Sequence, residues 1–173
     1  GTLGQTPATS GTGKYKIDAG YTTTIYHGGA VASNAGYIID GQTTDAPILG
    51  VLNGIFYNAA TTLKPTFANF YKQPITPANS EDIDAFVFDN PQQQYVVATD
   101  DAVAQSGYLE TYDMNTSAGS DTTGQSSATL DIGDTSADAA SFRLLRSAED
   151  PENDENAARR SVVVCINLIE LQS

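Results

Sequence analysis

The chain of 173 residues has few of the residue types that build disulfides, metal sites and catalytic centres: one cysteine, one histidine, one methionine and no tryptophan. Its single cysteine, Cys165, cannot form an intramolecular disulfide, and together with the lone His27 it excludes zinc clusters that need several Cys and His ligands. Triads of the Ser-His-Asp or Cys-His type would all depend on His27, which precedes a double-glycine turn and is expected to be solvated. We therefore predict that the chain is not an enzyme and holds no metal or cofactor.

Positive charge is scarce as well, since eight Lys and Arg stand against 21 Asp and Glu, for a formal net charge of −13. Nucleic-acid binding needs clustered cations that neutralise phosphates, so we expect no nucleic-acid partner. The longest strongly apolar run, residues 162–166, is far shorter than the roughly 18 residues of a membrane span, so we expect no membrane partner either. The first residues lack the basic and apolar regions of a secretory signal, and no signal peptide is predicted in this chain.

The charge is distributed unevenly along the chain. Residues 1–80 carry four lysines against three aspartates, whereas residues 81–173 carry four arginines against 18 acidic residues. An acidic surface is repelled by DNA and by other acidic surfaces, while a nearly neutral one can meet another protein. We therefore expect the two parts of the chain to face different surroundings.

The chain is rich in residues that favour β-structure. Thr, Val and Ile together number 40, and 15 glycines and seven prolines cut them into short runs. This composition predicts a single all-β domain, a β-barrel or a β-sandwich, with little helix. Residues 1–13 have little to bury, so we assign residues 1–16 to an extended N-terminal arm and residues 17–173 to the β domain. Strands are predicted at about 15–18, 21–27, 36–39, 48–57, 67–72, 84–89, 94–98, 107–112, 128–132, 141–147 and 160–171.

Two turn signals predict how some strands connect. Asn90-Pro91 separates the apolar runs 85–88 and 95–97, which is the pattern of a hairpin with a loop of four or five residues. Asn53-Gly54 fits either a two-residue hairpin or a glycine bulge within one strand, and both interpretations remain open.

The stretch 161–171 is the most apolar part of the sequence. Its three consecutive valines favour a strand buried on both faces over a helix. Within it, Cys165 should be a small buried residue with a raised pKa and therefore unreactive.

Clustered carboxylates give two further candidates. The loop 149–156 has acidic or amide side chains at nearly every position, but it lacks the glycine and the closing glutamate of an EF-hand and is interpreted as a solvated loop. The pair Asp82 and Asp84 could serve glycoside hydrolysis, although no tryptophan is present to stack on a sugar.

An aromatic cluster occupies residues 67–72. In an extended strand, Phe67 and Tyr71 would lie on one face, while Phe70 and Lys72 would point to the other. Core filling explains one face, and the other, with an aromatic ring beside a cation, is typical of a protein interface.

Several segments of the chain are informative in their order and spacing. They are Gly20 to Val31 (GYTTTIYHGGAV), Gly50 to Tyr57 (GVLNGIFY), Asn69 to Pro74 (NFYKQP), Ala85 to Pro91 (AFVFDNP), Gly119 to Ser126 (GSDTTGQS), and Arg143-Leu144-Leu145 through Asp150-Pro151 to the valines 162–164. Together they resemble a family of tailed-bacteriophage virion proteins, encoded beside the major capsid protein, that decorate or cement the head. The chain departs from the family pattern at Gly29-Ala30, where the family has Asp-Pro.

The resemblance implies a virion structural protein that decorates the outside of the capsid and stabilises the shell by binding the major capsid protein. The acidic part of the chain would be repelled by packaged DNA, which agrees with the outer surface, and we expect a homotrimer at local three-fold axes. The arm and the surface around Phe70 are then expected to contact the capsid. The residues assigned to this contact are Thr2, Leu3, Gln5, Lys14, Lys16, Phe70 and Lys72. Two alternatives are kept, a module of a phage tail, fibre or host-surface adhesin, and a glycan hydrolase that uses paired carboxylates.

Overall fold

β-Strands make up nearly all the regular structure of the chain. The computed structural model describes residues 2–3, 11–42, 47–73, 75–115, 119–133, 141–154 and 157–167. Within these ranges there is no α-helix, hence no candidate membrane-spanning helix, and short 3-10 turns occur at Ala78–Ser80 and Gln105–Gly107. The strands are β1 (Thr2–Leu3), β2 (Gly13–Ile17), β3 (Ala30–Asn34), β4 (Tyr37–Asp40), β5 (Ile48–Asn58), β6 (Pro65–Ala68), β7 (Ile83–Phe88), β8 (Gln94–Ala98), β9 (Thr111–Tyr112), β10 (Phe142–Ser147) and β11 (Ser161–Ile166).

The strands form two antiparallel sheets. Sheet A has the order β1-β8-β11-β10-β9, and sheet B has the order β2-β7-β5-β3-β4, with β6 paired to the C-terminal part of β5. Sheet B curls until its edge strands β2 and β4 lie close together, yet these strands do not pair. The all-β prediction is confirmed. Of the two alternatives that the sequence left open, a closed barrel is not formed, and the protein has two open sheets.

The alternation of side chains in sheet B gives the protein two cores. Val31 and Leu49 belong to the core inside the curl of sheet B, whereas their neighbours Ala30 and Ile48 belong to the core shared with sheet A. Successive side chains of a strand point to opposite faces, so both faces of sheet B are buried where β3 pairs with β5. Sheet B is therefore the central layer of the molecule.

Two bulges bend the long strand β5. Its register shifts by one residue against β3 at Leu49, and again against β7 at Asn53. The Asn53-Gly54 signal is thus a bulge within one continuous strand, which is one of the two interpretations that the sequence allowed. Gly50 permits the close crossing of β7, because a Cβ atom there would lie 2.3 Å from the carbonyl oxygen of Phe88.

The predicted hairpin around Asn90-Pro91 is wrong. Strand β7 lies in sheet B and strand β8 in sheet A, so the turn carries the chain from one sheet to the other. Asn90 nevertheless forms the hydrogen bonds of a turn. Its side-chain oxygen accepts one from the N–H of Gln92, and its backbone carbonyl accepts one from the N–H of Gln93. A turn signal locates the reversal, but the apolar faces of the two strands decide which sheet each strand joins.

The valine-rich strand β11 lies at the centre of sheet A, between β8 and β10. Val162, Val163 and Val164 are each at most 1% exposed, which confirms a strand buried on both faces over Ser161–Ile166. Cys165 is half-buried rather than fully buried, and burial raises its pKa as expected. The remainder of the predicted strand, residues 168–171, lies outside the described residues.

Other strand predictions differ from the structure in extent. The predicted strands at 21–27 and 128–132 are reduced to isolated bridges at Ile25, His27 and Leu130. Conversely, β3 forms where no strand is predicted, because its pairing with both β4 and β5 supports a run with weak β propensity.

Candidate partner-binding face

One end of sheet B has a face that takes no part in either core cluster of the described residues. Strand register places its residues in two rows across β6, β5, β7 and β2, and alternation places both rows on the same side of the sheet. We call this surface the aromatic–lysine face, and its rows are Phe67, Phe56, Asp84 and Lys16, followed by Gly54, Phe86 and Lys14.

One aromatic ring of this face is strongly exposed, whereas those of Phe56 and Phe86 are partly buried. Phe67 is 74% exposed although it lies in a paired strand, and its ring contacts that of Phe56 with 4.7 Å between centroids. Leu63, in the turn that joins β5 to β6, is 72% exposed and has a φ of +55°, a conformation that costs a leucine free energy. Exposed apolar surface formed by neighbouring side chains, here Phe67 and Phe56, is typical of surfaces that bind a partner.

The polar part of the face is an ion-paired network. The ammonium groups of Lys14 and Lys16 lie 2.7 and 2.6 Å from the two carboxylate oxygens of Asp84. Burial alone would raise the pKa of Asp84, but the hydrogen bonds from both lysines outweigh it and lower this pKa below its ordinary value. The two lysines remain half-exposed at 59% and 50%, so their ammonium groups stay accessible near the aromatic rings.

A shallow groove of about 360 Å³ adjoins Phe56 and Lys16 and is lined by the carboxylates of Glu81, Asp82 and Asp84. Asp82 accepts a hydrogen bond of 3.2 Å from the hydroxyl of Tyr37. A glycoside hydrolase needs one carboxyl group that keeps its proton near neutral pH, and the two lysines hold Asp84 in its charged form. Asp84 is therefore unsuited to be the general acid that a glycan hydrolase would need.

Phe70 and Lys72 belong to a second cluster, the Phe70 clamp, which we define as Tyr26, Phe70, Lys72 and Asp121. The rings of Tyr26 and Phe70 stack with an interplanar angle of 6° and 5.9 Å between centroids. Asp121 accepts a hydrogen bond of 2.8 Å from the Tyr26 hydroxyl and lies 3.2 Å from the Lys72 ammonium. The hydrogen bond from Tyr26 and the ion pair with Lys72 lower the pKa of Asp121.

Glycines let the loop 119–125 close over this clamp. A Cβ atom at Gly119 would lie 2.3 Å from the ring of Tyr26, and one at Gly124 would lie 2.3 Å from the ring of Phe70. Gly124 also has a φ of +73°, which glycine adopts without strain. The side chain of Asn69 adds a hydrogen bond of 3.0 Å to the carbonyl of Thr123. The glycine-containing loop is thus fixed to the aromatic pair by its own sequence.

The residues assigned to the partner contact fall in three places. Lys14 and Lys16 lie on the aromatic–lysine face, and Phe70 and Lys72 lie in the clamp, where the protein's own loop engages them. Thr2 and Leu3 form β1, which pairs with Tyr95 and Gln94 of β8 at the edge of sheet A. Gln5 lies outside the described residues. Of the arm assigned to residues 1–16, residues 13–16 lie within β2.

The sequence pattern placed the aromatic residues of 67–72 incorrectly. Phe67 and Tyr71 do not share a face, since Phe67 is 74% exposed and Tyr71 is 1% exposed. Strand β6 ends at Ala68 and a bend follows, so the alternation expected of one continuous strand does not reach Tyr71. Sequence reasoning also missed Phe56 and Phe86, whose only signal was alternation within the predicted strands 48–57 and 84–89.

Side chains of the acidic loop form hydrogen bonds with nearby backbone groups. Asn153 donates hydrogen bonds from its amide nitrogen to the carbonyls of Ala148 and Ser161 and accepts one from the N–H of Ser161. Asp150 accepts a hydrogen bond of 3.0 Å from the N–H of Glu152. Across the described ranges, no group of three or more His, Cys, Asp or Glu side chains is arranged to hold a metal ion.

No protein-family model matches the chain, and neither a curated protein nor a solved structure matches it.

Proposed function

We propose that this chain is a virion structural protein of a tailed phage, which decorates the outside of the capsid and binds the major capsid protein through the aromatic–lysine face. The observation that carries the proposal is Phe67, which is 74% exposed on a paired strand and in ring contact with Phe56. Aromatic residues are enriched at the centres of protein interfaces, where they fill pockets of the partner. An exposed ring of this kind, in contact with a second ring and near two lysines, fits a protein partner better than a small substrate.

The distribution of charge supports the orientation on the particle. Five of the seven residues of the aromatic–lysine face lie in the first 80 residues, which are nearly neutral, whereas residues 81–173 carry 18 acidic residues against four arginines. An acidic surface turned toward packaged DNA would be repelled by the phosphates. On the outside of the shell it would face water, and the aromatic–lysine face would meet the capsid.

We further propose that the protein acts as a homotrimer at local three-fold axes of the shell. Each trimer would contact several capsid subunits, so that modest individual contacts combine through effective concentration. A stable contact of this kind buries upwards of about 1,000 Å². Sedimentation equilibrium of the purified protein, alone and with the major capsid protein, measures the oligomer directly, and a strict monomer under both conditions would contradict the trimer.

Co-sedimentation with emptied heads of the phage that encodes the chain tests the proposed function. We expect saturation at a fixed ratio near one copy per major capsid subunit, as a trimer at every local three-fold axis requires. A few copies per particle, or none, would contradict decoration of the capsid and would instead indicate a tail, fibre or adhesin module.

A further inference from the structure

We propose that the cleft between the two sheets binds a small amphipathic anion, a molecule with an apolar body and one acidic head group. The cleft has a volume of about 530 Å³ and opens beside the segment 125–129. Sites for small molecules typically measure about 300–1,000 Å³ and combine an apolar lining with a few polar groups. This inference does not depend on the proposed function of the aromatic–lysine face.

The walls of the cleft are apolar and come from both sheets. Val51 and Phe88 of sheet B face Val97 of sheet A, and Met114 lies beside them. All four side chains are only partly buried, although each packs against the core shared by the two sheets. Apolar surface is thus left accessible between the sheets, and an aliphatic or aromatic body that covered it would gain free energy by leaving water.

The polar rim of the cleft is held in place before any ligand arrives. The N–H of Ser126 donates a hydrogen bond of 3.0 Å to the carbonyl of His27, and the N–H of Asn115 donates one of 2.7 Å to the carbonyl of Thr129. The hydroxyl of Ser126 accepts a further hydrogen bond from the N–H of Ala128. Because these bonds fix the segment that borders the opening, binding does not require the rim to be ordered.

One cation at the rim fits an acidic head group. Arg159 is exposed, lines the cleft and forms no ion pair with any described residue, whereas Arg146 lies 3.8 Å from Glu149. A guanidinium group binds carboxylates and phosphates through several donors in one plane. This cation beside apolar walls favours an anion with an apolar tail.

Titration of the full-length chain with decanoate and with 1-decanol, followed by amide ¹H–¹⁵N chemical shifts, tests this assignment. Decanoate supplies the apolar body and the acidic head, and 1-decanol supplies the same body without the charge. Three variants complete the experiment. Arg159→Gln removes the cation, Ala128→Trp fills the cleft, and Arg146→Gln is the matched control outside it.

We expect decanoate to shift resonances of the cleft-lining residues and to bind about tenfold more weakly to Arg159→Gln, the effect of one lost charge-assisted hydrogen bond. Arg146→Gln should bind decanoate as tightly as the unmodified chain does. The affinity for 1-decanol should be the same in Arg159→Gln and the unmodified chain, and Ala128→Trp should bind neither ligand. The proposal is overturned if decanoate does not bind, if both arginine variants bind it equally, or if the shifts lie outside the cleft. Arg159 is at the surface, so its variant tests the head-group assignment even if Ala128→Trp fails to fold.

Discussion

The closure of the loop 119–125 over the Phe70 clamp leads to a quantitative prediction for Gly124→Ala. Gly124 has a φ of +73°, and an added Cβ atom would lie 2.3 Å from the nearest ring carbon of Phe70. Gly36 has a similar φ of +86°, but an added Cβ atom there would meet nothing within 4 Å. The two glycines thus share a backbone conformation and differ in what surrounds them.

The difference between the two variants can be worked from these environments. Placing an alanine in the left-handed region costs about 1–2 kcal/mol at either position. At Gly124 the ring of Phe70 must also move, which disrupts its stacking on Tyr26 and costs about another 0.5–1.5 kcal/mol. We therefore expect Gly124→Ala to be less stable than Gly36→Ala by about 1 kcal/mol, or about 2–4 °C in Tm.

Urea unfolding followed by circular dichroism measures both free energies, and scanning calorimetry measures the two Tm values. Any effect of alanine on the unfolded chain is common to both variants, so the comparison isolates the contact with Phe70. Equal destabilisation of the two variants would show that the loop does not close on Phe70 in solution, and the clamp described above would then be wrong.

Three further predictions concern titrating groups. The lysines lower the pKa of Asp84 in the folded protein, so its contribution to stability is present above the ordinary value of 3.8 and is lost as the pH falls below it. Between pH 7 and pH 3, the free energy of unfolding measured in urea should therefore fall less for Asp84→Asn than for the unmodified chain. An equal fall in both proteins would contradict the ion-paired network. Burial raises the pKa of Asp40, so the charged carboxylate destabilises the folded protein at pH 7. Asp40→Asn should therefore increase the free energy of unfolding at pH 7. It should leave that free energy nearly unchanged at pH 3, where the carboxyl group of Asp40 is protonated. Burial also raises the pKa of Cys165, so iodoacetamide should alkylate it slowly at pH 7 and rapidly in urea, whereas fast reaction of the folded protein would contradict its environment.

Elements with a strong local signal were predictable from the sequence. The valines 162–164 predict a two-sided buried strand because consecutive β-branched residues leave no polar face, and β11 has that burial. Asn53-Gly54 signals a local irregularity, and the register of β5 against β7 makes it a bulge. In both cases the physical cause lies within a few residues of the signal.

Features that depend on distant pairing were not predictable. The transfer of the chain between sheets at Asn90 and the formation of β3 are decided by which apolar faces meet in the folded molecule. The aromatic–lysine face has the same origin, since Phe67, Phe56 and Lys16 come together only through the register of β6, β5, β7 and β2. Alternation within one strand separates two faces, but it does not tell which stretch of a face another sheet leaves uncovered.

The central claim, that the aromatic–lysine face contacts the capsid, can be tested by one comparison of binding affinities. Phe67→Ala and Leu109→Ala each remove a large apolar side chain, and the two residues are 74% and 66% exposed in different parts of the molecule. Truncation of an aromatic residue at the centre of an interface typically costs 2 kcal/mol or more, which is roughly a thirtyfold loss of affinity. We expect co-sedimentation with emptied heads to show that loss for Phe67→Ala and unchanged affinity for Leu109→Ala, whereas equal affinities for the two variants would contradict the assignment of this face.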